Sequence, residues 1–312
     1  MGTTHFDEAP ARAYELGHLN GRWTLLGEAA GCRGIGLRRI EVMAGGWSTP
    51  VHDHGRSEEI FYVLAGEGLL WHGGATAPIR AGDCFVCHPR RGGHSLHAGS
   101  GLDVLAFGPR CHDESPRFAR LEMSAVGNRF VDSRPGVIDG VPAQFVWESE
   151  AGPPELPAQP GARPPYLVGL ADADRYRMQR GRFRSSRADL GAAIGSVSTG
   201  IKHIELDPGA LSGPLHCHSV EEELFVVLDS DGELLLDAEA TPVRAGSVIS
   251  RLPGTGVSHS FRAGGGGMTM LAYGTRDSAD LCYYPTSNKI NFRGLGVIGR
   301  LAPLDYWDGE DG

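Results

Sequence analysis

A pair of histidines two residues apart, followed five residues later by a glutamate, occurs twice in this chain. The first copy reads His52-Asp53-His54-Gly55-Arg56-Ser57-Glu58-Glu59, and 164 residues later the second reads His216-Cys217-His218-Ser219-Val220-Glu221-Glu222-Glu223. Imidazoles at i and i+2 share a direction only on an extended strand, where side chains alternate between faces. On a helix they would diverge by about 200° and could not share one small ion. Each pair is therefore read as two inward-facing side chains of a β-strand, with the glutamate one turn away in the next strand. A fourth candidate follows in each copy, His94 and His259. Three neutral imidazoles and a carboxylate suit a divalent transition metal (Fe, Mn, Ni, Co or Zn) better than Ca or Mg. The expectation is up to two ions per chain, on His52, His54, Glu59 and His94, and on His216, His218, Glu223 and His259.

The repeat is longer than its histidines. Leu37–Val42 matches Ile201–Leu206, Ile60–Leu64 matches Leu224–Leu228, and Pro78–Asp83 matches Pro242–Ser247, all at the 164-residue offset. The last strands, Val104–Gly108 and Met270–Gly274, are offset by 166, taking up an extra residue before His259 and the run Gly264 to Gly267. Alternating apolar and polar residues mark these as strands, and the 46 glycines and 20 prolines supply many tight turns. The pattern predicts an all-β chain of two tandem antiparallel barrels of jelly-roll type. Phe61 and Val63, with Phe225 and Val227, share parity with the glutamates and are expected to line the two cavities.

The glycines and prolines around the histidines carry a family pattern. Gly46 stands six residues before His52 and Gly66 seven after Glu59; Gly82 precedes Pro89-Arg90-Arg91-Gly92-Gly93-His94. The second copy has Gly246, then Pro253-Gly254-Thr255-Gly256-Val257-Ser258-His259. This resembles the two signature motifs of the cupin superfamily, G-x5-H-x-H-x3,4-E-x6-G and G-x5-P-x-G-x2-H, each present twice, as in a bicupin. Six residues separate glycine from proline in both copies, and Gly92 stands one place late. The second copy carries Ser230 in place of Gly66, with Gly209 one residue early and His259 one residue late. No departure removes a ligand. Glu58 and Glu222 also fall within the family spacing; Glu59 and Glu223 are preferred because both lie five residues past the second histidine and Glu59 keeps the distance to Gly66.

The expected organisation is a first cupin domain at 1–148 with residues 1–20 as an arm, a proline-rich linker at 149–175, and a second domain at 176–312 with a docked tail. Residues 116–148 are expected to pack across the seam between domains, and Asn288, Lys289, Asn291 and Arg293 to form a solvated turn, in preference to closing over a barrel mouth to hold an anionic group. Cys84 and Cys87 have CxxC spacing, but positions i and i+3 face opposite sides of a strand, so the six cysteines read as free thiols. A net charge of −9 argues against a nucleic-acid partner, and the absence of an 18-residue apolar run or a leader pattern argues against a membrane. The expected partner is a small-molecule substrate, the expected compartment the cytoplasm, and a homo-oligomer is compatible with the composition.

Four protein ligands leave two open positions on an ion that prefers six, where a substrate oxygen and O₂ or water can meet. The family resemblance implies dioxygenases, oxalate-type decarboxylases and sugar-phosphate or keto-acid isomerases, and fold does not choose among them. The leading expectation is a dioxygenase-type oxidoreductase acting on a small oxygenated substrate, with Glu59 and Glu223 as catalytic carboxylates. The alternatives are a Lewis-acid decarboxylase or isomerase and a non-catalytic small-molecule sensor.

Overall fold

The structure, a computed structural model, describes residues 2–126, 129–131 and 135–310. Two eight-stranded antiparallel sheets dominate it, and they repeat the same strand order. In the first, Glu59–His72 is central, flanked by Asp83–Cys87 on one side and His94–Pro109 on the other, then Ile35–Val42, Leu19–Thr24 and Ala11–Leu16. In the second, Glu223–Leu236 holds that place between Ser247–Arg251 and His259–Thr275, followed by Thr199–Leu206, Phe183–Ala188 and Arg175–Arg180. Among the described residues no helix is long and apolar enough to cross a membrane.

The central strands are buried on both faces, so their two-residue period separates two cores. Phe61 and Val63 join Ile40, Val104 and Phe85 inside the first barrel, and Phe225 and Val227 join Ile204, Phe261 and Met270 inside the second. The intervening Ile60 and Tyr62 meet Leu224, Val226 and Tyr273 in a third core, the seam between barrels. There Phe107 and Tyr273 stack with centroids 5.0 Å apart. Each large side chain buried this way contributes about 1.5–3 kcal/mol. Cys84 and Cys87 divide in the same manner, one to the seam and one to the barrel interior, and all six cysteines are free.

The edges are exchanged. Gly2–His5, at the N-terminus, pairs with Ser247–Arg251 of the second barrel, and Leu167–Gly169 pairs with Asp83–Cys87 of the first. The expected arm and linker thus supply strands that cover sheet edges, which would otherwise offer unpaired backbone groups to another chain. The expectation for residues 116–148 is corrected as well. Arg117–Phe118, Met123–Val126 and Ala143–Ala151 cover the mouth of the first barrel, where Phe145 packs with Leu19 and Trp47. The seam needs no such filler, because the strands themselves present large apolar side chains to it. Ser230, the departure from Gly66, keeps the left-handed backbone of its counterpart (φ 65° against 83°).

The seam also contains two buried carboxylates used reciprocally. Glu58 accepts backbone N–H bonds from Val197, Ser198 and Thr199 at 3.0, 3.1 and 2.8 Å and the Thr199 hydroxyl at 2.7 Å. Glu222 in turn accepts from the backbone N–H groups of Arg33, at 2.9 Å, and Gly34. Burial alone would raise the Glu58 pKa, but the hydrogen bonds from Thr199, Val197 and Ser196 outweigh it and the net shift is downward. A depressed folded-state pKa adds stability that is present above the unfolded value and lost as pH falls through the folded one. Glu58→Ala is expected to cost about 3 kcal/mol by stranding buried donors. Urea titration at pH 7 measures this loss, and the gap between variant and wild type narrows as pH drops below the ordinary glutamate range.

Candidate metal centres in the two barrels

His52 sits in an isolated bridge to His94, which starts the strand His94–Pro109, while Glu59 starts the neighbouring strand. The bridge and the two strand beginnings place their side chains in one cluster. The Glu59 Oε2 atom lies 2.9 Å from His94 Nε2, 3.3 Å from His54 Nε2 and 4.0 Å from His52 Nε2. In the second barrel Glu223 Oε2 lies 3.0 Å from His259 Nε2, 3.3 Å from His218 Nε2 and 4.0 Å from His216 Nε2. These three distances agree to 0.1 Å although no residue is shared, while the His218 and His259 rings stand slightly wider apart than those of His54 and His94, 6.4 Å against 6.0 Å. Glu58 and Glu222, one position earlier, point into the seam, so strand alternation alone separates the carboxylate of the site from that of the interface.

The donors fit an ion. His218 Nε2, Glu223 Oε2 and His259 Nε2 are buried atoms without a hydrogen-bond partner, although they approach to about 3 Å. Atoms that close and that misaligned for one another are arranged around a common point. The far nitrogens are engaged elsewhere. His52 Nδ1 donates to the Pro50 carbonyl and His216 Nδ1 to the Pro214 carbonyl, each at 2.9 Å, and this tautomer turns the Nε2 lone pair inward. Burial, then the neighbouring imidazoles, lower the His52 pKa to about 3 and the His216 pKa to about 4, which keeps both in the neutral, ligating form. Burial opposes ionisation of Glu59 and Glu223, yet His54 and His94 beside the first, and the charge of His259 with His218 beside the second, hold both well below the usual carboxylate range.

The pocket expectations divide. Phe61 packs its edge against His94 at 5.6 Å and Phe225 lies 5.4 Å from His259, so both support the ligands. Val63 and Val227 are fully buried in the packed barrel interiors. Parity correctly turned them inward, but the barrels are filled with side chains at that depth and they serve as core. His88 lies 3.6 Å from Glu58 at the seam, and His97 packs against Trp47, away from the ligands.

Sequence reasoning missed the carboxylates behind the ligands. Glu114 accepts backbone N–H bonds from Gly55, Arg56 and Ser57, clamping the loop between His54 and Glu59. Asp280 accepts from Val220 and Glu221 in the second barrel and from His218 Nδ1 at 2.7 Å. The signal was present: Glu114 and Asp280 stand 166 apart, the offset of the last strands. That offset continues through Arg117–Phe118 and Met123–Val126, which match Leu281–Tyr284 and Lys289–Phe292 in register as well as order. These strands roof the two sites with different residues. Pro116 and Phe118 cover the first, while Cys282, Tyr284, Asn291 and Arg293 line the second, a cavity of about 330 Å³. Asn291 and Arg293 thus belong to a cavity wall, nearer the less favoured sequence reading of a segment over a barrel mouth than a solvated turn, because the strand carrying Asn291 pairs with Leu281–Tyr284, which pairs with Cys217–His218. Over the first site, lobes of about 380 and 390 Å³ meet at Arg38, His54 and Pro116.

A family model described as a cupin domain matches residues 38–105 and again 202–272. Among solved structures, oxalate decarboxylase from Bacillus subtilis at pH 4.6 aligns over 90% of this chain and 78% of its own, with a TM-score of 0.60 and 16% identity. The formate complex of Lactobacillus farciminis oxalate decarboxylase aligns over 88% of this chain and 86% of its own, with a TM-score of 0.58 and 16% identity. A further structure of the Bacillus subtilis enzyme, from work on its Mn(II) centres, has a TM-score of 0.58 at 16% identity and covers 90% and 78%. At this identity the likeness is one of fold. No curated protein sequence matches the chain.

Two metal-binding predictions follow from the geometry. The purified, metal-loaded chain is expected to hold two ions, and the double variant His52→Ala/His54→Ala to hold one, as read by elemental analysis. The second concerns pH. Glu59, against the cost of burial, raises the pKa of His54, and Glu223 with Asp280 does the same for His218. A raised pKa means a proton must leave before an ion can enter, so affinity falls as pH drops through values at and above the ordinary 6.5. His52 and His216, neutral down to about pH 3 and 4, add no competition in that range. Calorimetric titration with Mn²⁺ between pH 8 and 6 tests this; a flat affinity over that interval would contradict it.

Proposed function

We propose that this chain is a two-domain, metal-dependent cupin enzyme that decarboxylates a small carboxylate, with the first barrel as its reaction centre. The observation that carries this reading is the surroundings of the first ligand set. Arg38 stands at the junction of the two lobes beside His54 and lies over the Trp23 ring, 5.5 Å from its centroid. The strand Ile35–Val42 turns Arg38 to the same face as Ile40 and Val42, so its cation is held at the barrel mouth by the barrel's own alternation. Phe118 and Pro116 form the opposite wall, and Phe118 lies 6.1 Å from the His52 ring.

That combination suits loss of CO₂. An arginine presents a planar fork that matches a carboxylate, so Arg38 would hold one end of the substrate. A reacting carboxylate pressed against Pro116 and Phe118 loses hydration, and leaving as neutral CO₂ relieves that cost. An ion bound by His52, His54, Glu59 and His94 would supply Lewis-acid polarisation of a substrate oxygen. The carbon left behind takes a proton. Glu114 is committed to the 55–57 loop, whereas Glu28, half exposed on the rim of both lobes and ion-paired with Arg110 at 3.5 Å, would relay one from solvent.

Solved structures of similar fold include oxalate decarboxylases, which supports the non-oxidative alternative over the dioxygenase reading. The two differ in a measurable way. Mn²⁺-loaded protein is to be given a panel of small mono- and dicarboxylates while CO₂ release and O₂ consumption are followed together. The expected result is CO₂ without stoichiometric O₂ uptake, with KM raised about 10- to 100-fold in Arg38→Gln and kcat lowered in Glu28→Gln at unchanged metal content. Stoichiometric O₂ consumption would return the dioxygenase reading, and no turnover with tight ligand binding would favour a sensor.

A further inference from the structure

The two centres share four donors but not what stands beside them. Leu281–Tyr284 pairs with Cys217–His218 so that Cys282 lies opposite His218. The Cys282 sulfur falls within 4.8 Å of nitrogens of both His216 and His218. It is buried, and it lines the same cavity as Glu223 and His259. At this point of the first barrel stands Pro116, which offers no donor. A separate observation marks the cavity as a ligand-binding one. His259 Nε2 and Glu223 Oε2 are buried without hydrogen-bond partners and face into it, and the His259 side chain is only 3% exposed.

We propose that Cys282 supplies a thiolate as an additional donor to an ion held by His216, His218, Glu223 and His259, so that the second barrel is a thiophilic centre and the first is not. The proposal rests on the metal reading of the ligand sets but not on the reaction assigned to the first barrel. Binding replaces the S–H bond with a sulfur–metal bond; the thiol proton passes to solvent and no electrons change hands. Imidazole, carboxylate and thiolate together favour Zn²⁺ or Co²⁺ over Mn²⁺, whereas a set limited to imidazole and carboxylate discriminates less against Mn²⁺. The chain would then carry two different ions, and the fifth donor would leave the second ion with one open position in place of two.

Co²⁺ titration of the His52→Ala/His54→Ala variant, whose second site alone is intact, tests this directly. The expected result is a near-ultraviolet sulfur-to-cobalt charge-transfer band that grows to one equivalent. Adding Cys282→Ser should abolish the band while one equivalent still binds, and should reduce the preference for Zn²⁺ over Mn²⁺ by about tenfold or more. Adding Cys217→Ser should leave the band unchanged. Binding of one equivalent without a band, or a band that survives Cys282→Ser, would overturn the thiolate assignment while leaving the metal centre standing. Absence of Co²⁺ binding would overturn both.

Discussion

The two-residue period of a strand buried on both faces is the constraint from which the rest of this structure follows. Along Glu58-Glu59-Ile60-Phe61-Tyr62-Val63, the odd-numbered residues enter the first barrel and the even-numbered ones enter the seam. The second copy, Glu222 to Val227, does the same with the same numerical parity, because the 164-residue offset is even. Adjacent glutamates thereby acquire unrelated duties, one gathering imidazoles at the barrel mouth and the other holding a loop of the neighbouring barrel. A one-residue slip would exchange them, placing a ligand in the seam and leaving Val197 to Thr199 without their acceptor. The site and the interface are in this sense one feature of the strand.

The duplicated architecture has been kept where it sets geometry and altered where it sets chemistry. Ligand distances in the two barrels agree closely, and Glu114 and Asp280 clamp the same loop from equivalent positions. The roof is where they part: Pro116 against Cys282, Phe118 against Tyr284, Ala125 against Asn291. Each pair exchanges an apolar side chain for one carrying a polar or soft donor. Asp280 reaches the Nδ1 of His218 at 2.7 Å, whereas Glu114 remains 3.9 Å from the Nδ1 of His54. A histidine paired with a carboxylate is a more basic and better oriented ligand. Two barrels with the same first ligands are therefore not interchangeable centres.

Much of this was legible in the sequence because it was written twice. The His-x-His spacing admitted only a strand, and the repeat identified both barrels and the eight residues that gather at their mouths. Spacing also chose Glu59 over Glu58, although the role of Glu58 in the seam was invisible, since its partners lie about 140 residues away in the chain. The edge exchange was hidden for a similar reason: Gly2–His5 and Leu167–Gly169 are short, and their pairing is set by which sheet edge lies exposed nearby. The roofs were missed because the repeat was followed only to Gly108 and Gly274, although the offset of 166 runs on through Phe118 and Tyr284. Val63 and Val227 show the opposite limit. Parity says which way a side chain points, but not whether a cavity remains at that depth.

The central claim is that each barrel gathers its ligands around its own ion. Anomalous X-ray scattering from crystals of the metal-loaded protein tests it most directly. The account predicts two peaks per chain, one about 2.0–2.3 Å from the ligating atoms of His52, His54, Glu59 and His94, and the other at that distance from His216, His218, Glu223 and His259. Peaks elsewhere, or a well-loaded crystal with neither site occupied, would contradict it.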